Sequence, residues 1–215
     1  MAKTRITLSS ESLYVVTQTI DFGNPILIDY AKSDDASNPT TIPFSETKFH
    51  WSFFVTDEQG IPHVHNWNVD QSADGRHRGE RYQHFSIPFP VRTAMPESTF
   101  LVFARVCGWP GLDDELLCET LDSFWRELNG MNVQVLRMAG KSCRSWIFYC
   151  LAKFIESEWL SREDITLNVD TPTSNQTAIE AWCANVENNI NTKSEQAVQR
   201  LLKQKTTFTP IMTEI

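Results

Sequence analysis

Phe49-His50-Trp51-Ser52-Phe53-Phe54-Val55-Thr56 is an aromatic and β-branched run that ends in Asp57-Glu58-Gln59-Gly60. Such a run before a turn sequence predicts a strand, and residues 64–69 beyond the turn predict its antiparallel partner. Working outward, residues 13–20 and 26–30 read as further strands, the second following a Gly-Asn-Pro turn. Residues 82–87 and 99–106 continue the pattern, and the last of these, apolar nearly throughout, predicts a central strand. The stretch 32–43, rich in Ser, Asp, Asn, Thr and Pro, and the polar stretch 71–81 predict loops.

The pattern changes at Asp113. Leu116, Leu117, Thr120, Leu121, Phe124, Trp125 and Leu128 recur at helical spacing behind Asp113, Asp114 and Glu115, and Asn129-Gly130 supplies a stop. Residues 131–138 alternate like a strand, with Val133, Val135 and Arg137 on one face. Gly140-Lys141-Ser142-Cys143 then opens a helix whose inner stripe is Ile147, Cys150, Leu151, Phe154 and Ile155. From residue 171 the chain is polar and helical, with Ala178, Trp182, Val186 and Ile190 on one stripe and Ala197, Leu201 and Leu202 on another. Strands followed by helices predict an α+β fold, an antiparallel sheet packed against helices. The expected division is a core domain over 1–170 and a helical arm over 171–215, free to dock on the domain, on a partner or on a second copy as a homodimer.

With 19 basic against 27 acidic residues the net charge is −8, which argues against a nucleic-acid-binding protein. The basic cluster Arg76-His77-Arg78 with Arg81 is interrupted by Glu80 and reads as a solvated loop. No apolar run reaches the roughly 18–20 residues of a membrane span. The N-terminal residues lead into an alternating segment, unlike a secretory leader. Five cysteines without a Cys-x-x-Cys spacing fit reduced thiols in a cytoplasmic protein.

Cys143 is the expected nucleophile, because a thiol at a helix N-terminus meets unpaired N–H groups and the positive end of the dipole, which favour thiolate. His50 is its expected base, and His65 on the partner strand would orient the imidazole. His63 shares the parity of His65, whereas His77 and His84 are less well placed. A metal set of His50, His65 and His63 lacks an acidic or thiol ligand at a recognisable spacing, so neither a metal nor a cofactor is assigned. For substrate binding the candidates are Trp67 (between Asn66 and Asn68), Trp51, Arg144 beside the thiol, and Arg105, expected to be buried and in need of a partner. Each has a structural alternative as well: core packing for the tryptophans and Cys143, and a solvated charge for Arg144.

His50-Trp51, Val64-His65 and Ser142-Cys143-Arg144-Ser145-Trp146 resemble the permuted papain-like fold of the lecithin retinol acyltransferase and NlpC-type families. That resemblance implies a histidine opening the first core strand, a polar residue on the next strand and a helix-borne cysteine. Ser142-Cys143-Arg144 stands where that group commonly has Asn-Cys-Glu. Over residues 10–165 the chain also resembles a fungal family of uncharacterised proteins, with Gly140, Cys143, Arg144 and Trp146 matching its pattern. This second resemblance implies fungal origin and a place near natural-product pathways.

Three functions follow as expectations. The first is a cysteine-dependent acyl-transfer or hydrolytic enzyme acting on a small-molecule ester, thioester or amide. The second is a cyclase or isomerase that uses His50, His65, Trp67 and Arg105, with Cys143 structural. The third is an interaction module working through the C-terminal arm. Either enzyme predicts a closed cavity of about a few hundred Å3 bordered by His50, Cys143 and Trp67.

Overall fold

The structure is a computed structural model that describes residues 5–19, 49–69, 79–87, 91–92, 94–95, 98–161, 175–203 and 208–215. The first strands in chain order are β1 (Arg5–Ile6), β2 (Leu13–Thr19), β3 (Phe49–Thr56), β4 (Pro62–Val69) and β5 (Gly79–Ser86). Next come β6 (Val91–Arg92), β7 (Ala94–Met95), β8 (Ser98–Arg105), helix α1 (Asp114–Ser123) and β9 (Met131–Asn132). Helices α2 (Val133–Met138), α3 (Cys143–Glu156) and α4 (Asn175–Lys203) and strand β10 (Ile211–Glu214) complete the order. The main sheet runs β10-β8-β2-β3-β4-β5-β9, with β7 also paired to β8, and β1 and β6 form a separate ribbon. Its neighbours are antiparallel except β10 beside β8, so the sheet is mixed and the fold is α+β.

Both faces of strand β3 are covered, including the one that carries His50, Ser52 and Thr56. Phe49, Trp51, Phe53 and Val55 point into the helix-side core, whereas Phe54 joins Tyr14, Val16, Val64, Phe100 and Phe103 on the other side. Helix α3 lies on the first face, with the Phe53 ring 5.8 Å from Trp146 and 6.0 Å from Phe154. Of the strands expected from sequence, β2, β3, β4, β5 and β8 are present. Residues 26–30, the loop 32–43 and the basic cluster 76–78 lie outside the described residues.

Two expectations are corrected. Residues 131–138 are not one strand: Asn132 closes β9, its side chain accepts from the Gln134 N–H at 2.8 Å, and α2 begins. That cap turns Val133 and Leu136 onto one helical face, with Leu136 buried. The helix from Asp113 stops at Ser123 and does not reach Leu128. Phe124 is extended and Trp125 takes a left-handed conformation at φ 56°, which lets its ring meet Trp67 edge-on at 5.5 Å.

Of the fates expected for the C-terminal stripe, helix α4 takes docking on the domain. Trp182, Val186, Ile190 and Ala197 of α4 are buried in the same core as β3 and α3. Ser194 Oγ lies 2.7 Å from Thr17 Oγ1 of β2, and the chain then returns to lay β10 along β8. The stripe offered for a homodimer is therefore already covered by the chain itself. No helix among the described residues is long and apolar enough to cross a membrane.

Candidate functional site

The start of α3 is fixed by a capping box. Ser142 Oγ accepts from the Ser145 N–H at 3.3 Å, and Ser145 Oγ accepts from the Ser142 N–H at 2.8 Å, which makes Cys143 the first helical residue. Strand β3 stays paired with β2 from Val55 back to Phe49, but its ladder with β4 spans Phe53–His65 to Thr56–Pro62. The first half of β3 thus presents an edge to the incoming helix, where the Trp51 N–H acts on the Cys143 thiol. Strand N–H groups lie in the plane of the sheet, so the sulfur sits at that edge, between the two faces.

Burial pushes the Cys143 thiol above the usual cysteine range, against the expectation of a resting thiolate. The Arg137 charge and the Trp51 N–H pull it back down, Glu80 pushes it up, and the Arg144 N–H adds a further pull downward. His50 leaves β3 on the face opposite Trp51. Its Nε2 is shielded from solvent with no hydrogen-bond partner, and burial followed by the Arg137 charge lowers its pKa to about 4. The Arg137 charge acts on both groups.

Arg137 is held in turn by Glu80, which is 2% exposed. Two hydrogen bonds join them: Nη1 donates to Oε2 at 3.0 Å and Nη2 donates to Oε1. Arg137 Nη1 also donates to the Lys141 carbonyl at 2.6 Å, and Trp67 Nε1 donates to Glu80 Oε2 at 3.0 Å. Trp67 is therefore a buried partner of Glu80, not the pocket wall expected of it. Trp51 is likewise core, edge-on to Phe148 at 5.6 Å.

The other expected binding residues also lie elsewhere. Arg105 is not buried: it ends β8 with its side chain 46% exposed and pairs with Glu214 at 3.4 Å. Arg144 pairs with Glu187 of α4 at 3.4 Å. A hollow of about 520 Å3 runs along α4 by Thr192, Gln196 and Arg200, and neither His50, Cys143 nor Trp67 lines it.

His65 is not beside His50. It sits opposite Phe53, on the helix side of the sheet, in a second polar cluster. Its Nδ1 lies 2.8 Å from the Tyr82 hydroxyl and its Nε2 lies 3.6 Å from Asp114 Oδ1. His84, its partner in the β4–β5 ladder, stacks on it at 4.7 Å. His63 and His84 each approach Asp114 Oδ2 at 3.4 Å. Asp113 caps α1 by accepting from the Glu115 and Leu116 N–H groups, which leaves Asp114 free to face the histidines. Burial first, then the His84 and His63 charges, hold His65 well below the usual histidine range, so its ring is neutral. Burial raises the Tyr82 hydroxyl, and its hydrogen bond to the Cys118 thiol adds to that.

Comparison with known proteins gives no matching family model, no similar curated protein and no similar solved structure. Sequence reading passed over His84, Asp114, Tyr82 and Glu80 as functional residues. The available signal was parity: His63 and His65 share a face, and pairing β4 with β5 in antiparallel register brings His84 opposite His65.

Proposed function

We propose that this protein is a cysteine-dependent acyl-transfer or hydrolytic enzyme acting on a small-molecule ester, thioester or amide. The observation that carries the reading is the seat of Cys143, at the first position of α3 with the backbone N–H groups of Trp51 and Arg144 at its sulfur. N–H groups aimed at the sulfur stabilise the thiolate that forms as its proton leaves.

The raised thiol and the lowered imidazole make a neutral resting pair, so attack requires proton transfer rather than a preformed thiolate. Cys143 Sγ would bond to the carbonyl carbon as its proton passes to His50, and the carbonyl π pair would move onto oxygen. Collapse would expel the alcohol, thiol or amine with the proton from His50. Water or an acceptor alcohol or amine would then release the acyl group by the same steps in reverse. Ser52, whose buried hydroxyl also has no hydrogen-bond partner, stands two residues from His50 on the same face of β3.

The test uses p-nitrophenyl acetate as acyl donor and intact-mass and peptide analysis as readout. Acetylation should fall on Cys143, and His50→Gln should slow it at least tenfold while the fold is kept. Acetyl groups spread over several cysteines, or unchanged acetylation in Cys143→Ser, would overturn the assignment.

A further inference from the structure

The second cluster has the composition and spacing of a metal centre, and the acyl-transfer reading makes no use of it. We propose that His63, His65, His84 and Asp114 bind a divalent transition-metal ion of the zinc type, with the Cys118 thiol at the inner edge of the site.

Distance is the first argument. The three histidine nitrogens stand 3.4, 3.4 and 3.6 Å from the Asp114 carboxylate. Good N–H···O hydrogen bonds run at about 2.7–3.2 Å, so these contacts are too long for that purpose. Ligands bound at about 2.0–2.2 Å in a tetrahedron stand about 3.3–3.6 Å apart, which matches the separation of each imidazole from the Asp114 carboxylate. Two overlapping triads, His63–His84–Asp114 and His65–His84–Cys118, have their ligand atoms within 4.8 Å of one another, and His84 belongs to both.

Unmet bonding capacity is the second argument and is independent of the first. His65 is 0% exposed, and its Nε2 has no hydrogen-bond partner although it points at Asp114. Asp114 Oδ1, on the receiving side, is also shielded and without a partner. A buried nitrogen and a buried oxygen facing each other beyond hydrogen-bond reach are what a bridging cation satisfies.

The surroundings suit a bound ion. The Tyr82 hydroxyl engages His65 Nδ1 at 2.8 Å, which leaves Nε2 as the ligating atom and fixes the ring. Asp57 Oδ2 stands 3.8 Å from His63 Nε2, on the far side of the ring, and Ser86 Oγ, 3.2 Å from His63 Nδ1, turns away when that nitrogen ligates. Access comes from the side of His63, His84 and Asp114. The side chains of His63, His84 and Asp114 are 20%, 29% and 40% exposed, whereas His65 closes the inner wall. Three imidazoles with one carboxylate select zinc, cobalt or nickel over calcium or magnesium.

The experiment is a zinc titration of the chelator-treated full chain against a chromophoric competitor, repeated with cobalt(II) for its absorption spectrum. One zinc per chain is expected, and cobalt(II) added to the metal-free chain should give the intense visible bands of a four-coordinate site, which added zinc then bleaches. His84→Ala and Asp114→Ala, both at partly exposed positions, should each weaken zinc binding at least tenfold. Far-ultraviolet circular dichroism of the metal-free variants checks that they fold, and His63→Gln serves if one of them does not. His50→Gln and Cys143→Ser should bind zinc as the parent does, which separates this site from the acyl-transfer reading. A cobalt–thiolate charge-transfer band that Cys118→Ser abolishes would add Cys118 to the ligand set. Absence of stoichiometric zinc binding, or binding that His84→Ala and Asp114→Ala leave unchanged, would overturn the site.

Discussion

Glu80 of β5 and Arg137 of α2, 57 residues apart in the chain, meet as a two-bond ion pair that is almost fully buried. The pair joins the edge of the sheet to the helices; the Arg137 charge acts on both His50 and Cys143, and the Glu80 charge on Cys143. Breaking it from one side strands a charge in a dry place. Glu80→Ala should lower stability by about 3–5 kcal/mol in urea unfolding. The double variant Glu80→Leu/Arg137→Met should lose much less than the sum of its single changes. Additive losses would show that the two residues do not work as a pair.

Glu80 owes its position partly to Gly79. A Cβ built there would lie 2.5 Å from the Gly130 backbone, and Gly130 N–H in turn donates to the Glu80 carbonyl at 2.8 Å. Gly79→Ala must push these two backbones apart and should cost about 1–3 kcal/mol, the usual range for overpacking. A thermal melt indistinguishable from the parent would contradict this close approach.

His50 sets a pH dependence. Its pKa in the folded chain is about 4, whereas an unfolded histidine titrates near ~6.5. Between those values the unfolded chain binds the proton and the folded chain does not, so stability falls as pH falls through that window. The full effect is on the order of 3 kcal/mol. His50→Gln should reduce the slope of unfolding free energy against pH by up to about one proton over that range. An unaltered slope would place the imidazole in water.

For Cys143 the downward pull of Arg137 exceeds the upward push of Glu80. Glu80→Gln/Arg137→Met, which removes both charges, should therefore raise the pH midpoint of Cys143 alkylation by iodoacetamide. The parent midpoint should itself lie above that of a cysteine peptide. A midpoint below the peptide's would mean that the helix terminus outweighs burial.

Arg105 provides the contrast. Its pairing with Glu214 is solvent-exposed on both sides, so Arg105→Ala should change stability by no more than about 0.5–1 kcal/mol. A larger loss would point to a packing role for the arginine stem against β10.

The sequence by itself determined the β3–β4 hairpin, the apolar strand β8, the start of α1 and the cap that places Cys143 at the head of a helix. These rest on local signals: a turn between two strand-forming runs, an acid at an N-terminus, a serine before an apolar periodicity. It also brought out His50, Cys143, His63 and His65 as chemically notable side chains. Only the tertiary structure decided which of them share a site. His65 parts from His50 because neighbouring positions on a strand face opposite sides of a sheet, and pairing with β5 hands it to His84 instead. Trp67 becomes core because Glu80 takes its N–H, and Arg105 stays at the surface because β8 ends there. Residues 131–138 alternate like a strand yet wind into α2, since Asn132 caps them and Arg137 must reach Glu80. The polar stripe-bearing tail becomes α4 and β10 of the domain, because the unpaired edge of β8 and the bare face of α3 were there to be covered. Periodicity marks which residues are apolar, and long-range strand pairing then decides which polar groups are left facing one another.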